Sequence, residues 1–293
     1  MNTVLFDDKR MLRVGWQLVA LWLIVFLILR AAEPFREAFL MPSDYASTAE
    51  LRIEDMVVYA VIIVALVLIW RRMNRSVPSE LGLVLKVRPL MFGIISGVVV
   101  AGVLWVAYGL MLDFRVDPES SIRWTLFILA FQAVSSVSAV VLVHGFFLSI
   151  LRKRLGAVAA VCLVGAFSCF PLALFGYMNA VIPTVNSFLF ATLCATVTLR
   201  TGNICWAAGF HWAWFSFSMS IFGIGELGSG AGPSLLAAQR TGYNIMTGGE
   251  FGAQYSILFT AALGFLWAAL LLGGRLRIRK DITRGAVITA QKQ

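Results

Sequence analysis

The side chains in this chain that could do acid–base chemistry inside a membrane are two histidines. His144 and His211 are the only histidines, and both lie within stretches apolar enough to cross a bilayer. All fifteen Asp and Glu residues lie outside those stretches. A carboxylate within the membrane is typical of pumps, proton relays and intramembrane hydrolases. The sequence therefore offers two intramembrane imidazoles without an intramembrane acid beside them.

A histidine on an apolar helix can bind metal, ligate haem, shuttle protons or hydrogen-bond a neighbouring helix. Metal catalysis normally needs about three protein ligands, so we expect no metal site and no cofactor. Haem ligated by His144 and His211 from two helices stays an alternative. Transport is another, although the few polar residues in the spans more often form helix–helix hydrogen bonds: Gln132, Ser135, Ser136, Ser138, Asn179 and Asn186.

The positions of these residues follow from the membrane spans. The chain is 60% apolar and 13% charged with mean hydropathy +0.86, which excludes a soluble globule. Apolar runs near twenty residues recur between charged segments and predict an all-α polytopic membrane protein. Eight spans are predicted: Val14–Leu29, Met56–Trp70, Leu90–Leu112, Trp124–Leu151, Ala157–Phe175, Ala180–Leu199, Ile204–Phe222 and Gln254–Leu272.

The distribution of basic residues predicts the orientation of the spans. With the N-terminus inside, 18 of the 24 Lys and Arg residues fall in cytoplasmic segments. An even number of spans then places the C-terminus inside as well. The basic charge lies beside lipid headgroups, so the bilayer is the expected partner and nucleic acid is not.

We divide the chain into an N-terminal three-span region (1–123), a membrane core (124–272) and a basic cytoplasmic tail (273–293). A glycine-rich segment, Gly223–Phe251, precedes the last span. Dense glycine allows tight packing or a re-entrant loop, and a mobile polar loop is equally compatible. Pro233–Gln239, in its middle, could form a short surface helix.

Three segments of the core resemble one known family. Val143-His144-Gly145-Phe146-Phe147-Leu148 leads to a basic exit at Leu151-Arg152-Lys153-Arg154-Leu155-Gly156, and Thr201-Gly202-Asn203 leads to His211 and Trp214. Thr247-Gly248-Gly249-Glu250-Phe251-Gly252 is similar to a Gly-Gly-x-Phe-Gly stretch. Together these segments resemble the CAAX protease and bacteriocin-processing (CPBP or Abi) family of intramembrane endopeptidases, over about Trp124–Leu272. The location that this implies is a bacterial plasma (inner) membrane.

The family carries three motifs: E-E-x-x-x-R before a glycine, F-x-x-x-H and H-x-x-x-N. In this chain the glutamate pair falls on Ala139 and Val140, and the arginine falls on His144. Phe167 matches the second motif, but its histidine position falls on Pro171, or on Leu172 if the register shifts by one. His211 keeps its family identity, and the asparagine position is Phe215. The resemblance implies a glutamate pair that activates water, and Ala139 and Val140 cannot accept a proton.

The leading hypothesis is therefore a non-catalytic protein with the family's helical frame, which binds a protein, peptide or lipid partner around His144 and His211. The first alternative is an active endopeptidase with a rearranged site, in which Glu226 or Glu250 reaches inward from the glycine-rich segment. The second alternative is the haem-binding or transport protein described above.

Overall fold

The computed structural model describes residues 16–17, 23, 57–65, 67–68, 81–117, 121–169, 181–225, 234–238 and 244–272, and this part of the chain is mostly helical. Residues 57–65 and 67–68 are helical. Six α-helices follow them: α1 Val87–Gly109, α2 Ile122–Val140, α3 Leu148–Ser168, α4 Val181–Thr201, α5 Cys205–Phe215 and α6 Ile257–Leu272. One π-helix, Val141–Phe147, joins α2 to α3, and another, Ser216–Ile221, continues α5.

Three helical runs of the described chain are long and apolar enough to cross a membrane: Val87–Gly109, Ile122–Ser168 and Val181–Thr201. Ile257–Leu272 is a shorter apolar helix. These runs have the length and composition of an integral membrane protein. Most of the predicted first span, Val14–Leu29, lies outside the described residues.

The 47-residue run Ile122–Ser168 is interrupted at Gly156, where φ is 81° and ψ is 175°. This backbone conformation is one that glycine adopts without steric cost. The arm before the break is roughly 50 Å long at 1.5 Å per residue, which exceeds a hydrocarbon core of about 30 Å. The arm is therefore longer than the apolar layer is thick, and Arg152–Arg154 lie at one of its ends. The break falls between the predicted spans Trp124–Leu151 and Ala157–Phe175.

A short turn at Gly202 and Asn203 joins α4 to α5. Gly202 has φ 61°, the left-handed conformation that commonly ends a helix. The Asn203 side chain accepts a hydrogen bond from the Cys205 backbone N–H at 2.8 Å and donates to the Val84 carbonyl at 2.6 Å. The turn thus ties the start of α5 to the segment that leads into α1.

Two short strands form an antiparallel pair outside the helices. β1, Phe114–Val116, pairs with β2, Leu236–Ala238, with Phe114 opposite Ala238. The short surface helix predicted for Pro233–Gln239 is therefore wrong. The physical reason is tertiary: β2 finds backbone partners in β1, and the Leu235 N–H donates to the Ser220 carbonyl at 2.9 Å.

Residues 247–256, which include the end of the glycine-rich segment and the turn that follows it, are mostly buried. Thr247 is 1% exposed and Ser256 is fully buried. Gly248 has φ 77°, and a Cβ there would lie 1.9 Å from the Gly252 carbonyl oxygen, so only glycine fits this tight turn. The Ala253 N–H donates to the Ile224 carbonyl at 2.8 Å. The buried, tight turn at Thr247–Gly249 favours the tightly packed alternative for the described end of the glycine-rich segment.

The closest helix pair is α1 with α5, whose backbones meet through three glycines. A Cβ on Gly93 would lie 2.2 Å from the Trp206 carbonyl oxygen, and one on Gly209 would lie 2.4 Å from the Leu90 carbonyl oxygen. Gly97 is similarly crowded by Phe210. Small residues four apart are a common means of close approach between helices in a membrane. The spacing of α1 and α5 therefore depends on the absence of side chains at these positions.

We predict that Gly93→Ala destabilises the fold by about 2 kcal/mol, because the new methyl group forces α1 and α5 apart. The matched control is Gly102→Ala in the same helix, where a Cβ would meet nothing within 4 Å. That control should be neutral or stabilise by about 0.5 kcal/mol, since alanine is the better helix former. Thermal unfolding in detergent measures both effects, and equal Tm values for the two variants would contradict the prediction.

Candidate functional site

A cavity of about 340 Å³ lies where faces of several helices meet. Its lining is mainly apolar and aromatic, and it contains both histidines. Among the residues that the structure describes, the lining holds no Asp, Glu, Lys or Arg. The lining residues are Ala139, Val140, Val143, His144, Ser168, Asn186, Ser187, Phe190, Ala191, His211, Trp214, Phe215, Gln254 and Phe259.

The lining residues repeat with helical spacing, which explains how the sequence builds the cavity. Positions 139, 140, 143 and 144 form one face, and positions 186, 187, 190 and 191 form a second. Positions 211, 214 and 215 form a third. Residues three and four apart lie on the same side of a helix, so each helix contributes one continuous stripe. Gln254 comes from the buried turn before α6.

His211 is held in place by a hydrogen bond and two aromatic rings. Its Nδ1 lies 3.1 Å from the Ser136 hydroxyl oxygen on α2, and that serine is 1% exposed. The Phe215 ring centroid lies 4.6 Å from the imidazole, and the Phe190 ring meets it edge-on at 5.5 Å. Serine on one helix therefore fixes the orientation of histidine on another.

His144 has no such support. It lies in the middle of the π-helix Val141–Phe147 and is 5% exposed. Within the described part of the chain, no group hydrogen-bonds its ring, and its Nδ1 is buried without a partner. An unpaired buried polar group costs about 1–3 kcal/mol. A π-helix is rare in proteins and is frequent at functional sites.

The π-helix is visible in the backbone bonding. The Leu148 N–H donates to the Val143 carbonyl, five residues back rather than four. The Phe222 N–H makes the same kind of bond to the Phe217 carbonyl at 2.8 Å, at the end of the second π-helix. The extra residue in each turn changes which side chains of the following segment face the cavity.

The structure brings together five of the residues that stand at or beside the family's motif positions. Ala139, Val140, His144, His211 and Phe215 all line the cavity. Pro171 and Leu172, the positions aligned with the second motif's histidine, lie outside the described residues. So do Glu226 and the side chain of Glu250.

Asn186 lines the cavity, but its amide is fully engaged. Its Nδ2 donates to the Gln254 carbonyl at 2.8 Å and to the Ser256 carbonyl at 3.1 Å. Its Oδ1 accepts from the Thr260 hydroxyl at 2.7 Å. Tyr108 on α1 donates to the Ser256 hydroxyl oxygen at 2.6 Å. These bonds tie α4, the buried turn, α6 and α1 together.

The helix–helix interpretation of the polar residues is therefore confirmed for several of them. Ser136 bonds His211, Asn186 bonds the turn before α6, and Ser138 donates to the Tyr59 carbonyl at 3.1 Å. Gln132 donates its side-chain amide to the Met219 sulfur at 4.0 Å.

One wall of the cavity is aromatic, and the sequence alone did not indicate this wall. Trp214 is 1% exposed and stacks on Phe259, with centroids 4.1 Å apart and planes inclined by 5°. Phe190 on α4 packs against Phe259, with ring centroids 6.5 Å apart, and lines the same cavity. Asn186 and Phe190 are four residues apart, so the sequence predicts that both lie on one side of a helix. This spacing does not show which other helix that side packs against.

The chemistry available in this cavity is limited by its side chains. Two imidazoles can accept or donate protons and hydrogen bonds. In the described ranges, no group of three His, Cys, Asp or Glu side chains is placed to hold a metal ion. The aromatic walls favour an apolar ligand.

Comparison of the chain with protein-family models, curated proteins and solved structures found no match in any of the three. The resemblance to the CPBP family therefore depends on the residues and spacing given above.

We predict that Asn186→Ala lowers the stability by about 2 kcal/mol, because three intramembrane hydrogen bonds are lost at about 0.6 kcal/mol each. The control is Ser187→Ala, at the neighbouring cavity-lining position, which should change the stability by less than about 0.5 kcal/mol. Thermal unfolding of both variants in the same detergent provides the measurement. A Tm for Asn186→Ala no lower than that of the control would show that the Asn186 bonds do not hold the turn in place.

Proposed function

We propose that this chain is a non-catalytic integral membrane protein with a CPBP-like helical core, which binds a protein, peptide or lipid partner in its central cavity. The observation that carries the proposal is the lining of that cavity. Ala139 and Val140 stand at the positions of the family's glutamate pair, and both line the cavity with His211. A cavity lined by these helices but lacking an acidic side chain is better suited to binding a ligand than to hydrolysing a peptide.

The chemical argument concerns the activation of water. Peptide hydrolysis needs a group that accepts a proton from water within hydrogen-bond reach of the substrate. The methyl groups of Ala139 and Val140 cannot do this. The ring of His211 is oriented by the Ser136 hydroxyl rather than by a carboxylate. A histidine base is normally oriented and stabilised by an acidic partner, and the described lining provides none.

The proposal includes eight membrane spans with both ends in the cytoplasm of a bacterial cell. The charge distribution supports this topology, since it places most Lys and Arg residues on one side. In this orientation the Gly156 break, beside Arg152–Arg154, and the α4–α5 turn at Gly202 face the cytoplasm. His144 and His211 then lie about two helical turns or more inside the membrane from those ends.

We predict that the purified protein in lipid nanodiscs does not cleave membrane-anchored peptides, and that the His211→Ala variant gives the same background. The reason is the absence of a proton acceptor at positions 139 and 140. Cleavage is measured by mass spectrometry of a mixture of peptide substrates, with an active intramembrane protease as the positive control. Cleavage by the wild type that disappears in His211→Ala would overturn the proposal.

Two further variants separate the alternatives in the same assay. If Glu226 or Glu250 acts as the base of a rearranged site, cleavage by the wild type must disappear in Glu226→Gln or Glu250→Gln.

The visible spectrum of the same sample tests haem ligation, because a haem protein absorbs strongly in the Soret region. Such a band, lost in His144→Ala and His211→Ala, would favour the haem alternative over the proposed function.

A further inference from the structure

The cavity carries an unmet hydrogen-bonding requirement. The His144 ring lines it, and no group in the described part of the chain hydrogen-bonds that ring. His211 uses Nδ1 for Ser136 and leaves its second ring nitrogen without a described partner. A neutral imidazole carries one N–H donor and one acceptor nitrogen. A ligand head that both donates and accepts hydrogen bonds would satisfy these rings.

Other polar side chains of the lining contribute less. Asn186 is fully engaged by the turn before α6 and by Thr260. The Ser168 hydroxyl donates to the Val164 carbonyl at 2.9 Å. The two imidazoles are therefore the titratable polar groups of the described lining, which also contains the Ser187 hydroxyl, the Gln254 amide and the Trp214 indole.

The charge of the lining restricts the ligand further. With no Lys or Arg among the described lining residues, a permanently anionic head such as a phosphodiester has no fixed positive partner. A buried charge without a partner is strongly unfavourable. A carboxylic acid can enter in its neutral form, since its O–H donates to an imidazole nitrogen and its carbonyl oxygen accepts an N–H.

From these observations we infer that the cavity binds a long-chain fatty acid, with the carboxyl group at His144 and His211 and the first part of the chain between Phe190, Phe215 and Phe259. This inference rests on the proposed binding function and names its ligand class. If the acid's proton moves to an imidazole, the result is a carboxylate and an imidazolium in contact, so no net charge enters the membrane. The ligand supplies the carboxyl group that the chain itself lacks at positions 139 and 140.

The size and walls of the cavity fit the head of such a ligand. A volume of about 340 Å³ is near the lower end of small-molecule sites, roughly 300–1,000 Å³. Ala139, Val143 and Phe215 are only half-buried, so the cavity is not sealed from the outside of the helix bundle. The rest of a sixteen-carbon chain can therefore extend along the helices into the apolar part of the bilayer.

The test compares three probes of equal chain length: palmitic acid, hexadecanol and methyl palmitate. Saturable binding to the full chain in nanodiscs is measured with radiolabelled probes for the wild type, His144→Phe, His211→Phe and the control Gly102→Ala, a position outside the cavity lining where a Cβ meets nothing within 4 Å. We expect the wild type and the control to bind palmitic acid at least tenfold more tightly than either other probe. In the two histidine variants the preference should fall to about twofold or less.

A second measurement uses only the wild type, so it does not depend on the folding of the variants. With carboxyl-¹³C palmitic acid and ¹⁵N-histidine protein, solid-state NMR should show dipolar coupling between the carboxyl carbon and an imidazole nitrogen. Saturable binding without that coupling would overturn the inference.

The remaining outcomes separate this inference from the proposed function. Equal binding of all three probes would overturn carboxyl recognition but leave a lipid-binding cavity. Absence of saturable binding, together with absence of peptide cleavage, would overturn the fatty-acid ligand and leave a protein or peptide partner. Histidine-dependent peptide cleavage would overturn the proposed function itself.

Discussion

The backbone contact between α1 and α5 is the constraint on which the cavity depends. Gly93 and Gly97 on α1 and Gly209 on α5 allow the two helices to touch without intervening side chains. Gly209 lies two residues before His211, so the contact also fixes the depth and rotation of the histidine. The opposite side of α5 then faces α2 and α4, where Ser136 and Phe190 hold the imidazole ring. The packing of α5 against α1 thus determines where the His211 imidazole lies on the opposite side of α5.

Within this frame, the described lining of the cavity contains no acidic or basic side chain other than the two histidines. Two imidazoles lie among aromatic rings without a described acidic or basic neighbour in the lining. A membrane-embedded carboxylate would be costly, and proteins retain one where proton handling requires it. Ala139 and Val140 line the cavity without that cost and cannot accept a proton. Asn186 and Gln254 line the cavity, and hydrogen bonds from the Asn186 amide to the Gln254 and Ser256 carbonyls hold the buried turn against α4.

The sequence was most informative about the helices, because runs of apolar residues predict them directly. Apolar runs predicted a mostly helical chain, and the structure describes three helical runs long enough to span a membrane. The sequence did not indicate that Ala139, Val140 and His144 line one cavity with His211. The π-helix around His144 could not be foreseen, because its bonding differs from an α-helix by one residue and leaves no mark in residue type. The pairing of β1 with β2 was missed for another reason. These strands are more than a hundred residues apart, and three-residue strands show no periodicity.

The central claim is that no acidic side chain of the chain reaches the imidazole of His211. An experimental structure of the full protein in a lipid nanodisc measures this directly, as the distance from the ring nitrogens to the nearest Asp or Glu carboxyl oxygen. The account predicts that this distance exceeds hydrogen-bond reach, about 3.2 Å, with apolar atoms of Ala139 and Val140 in its place. A Glu226 or Glu250 carboxylate in hydrogen-bond contact with His211 would contradict it.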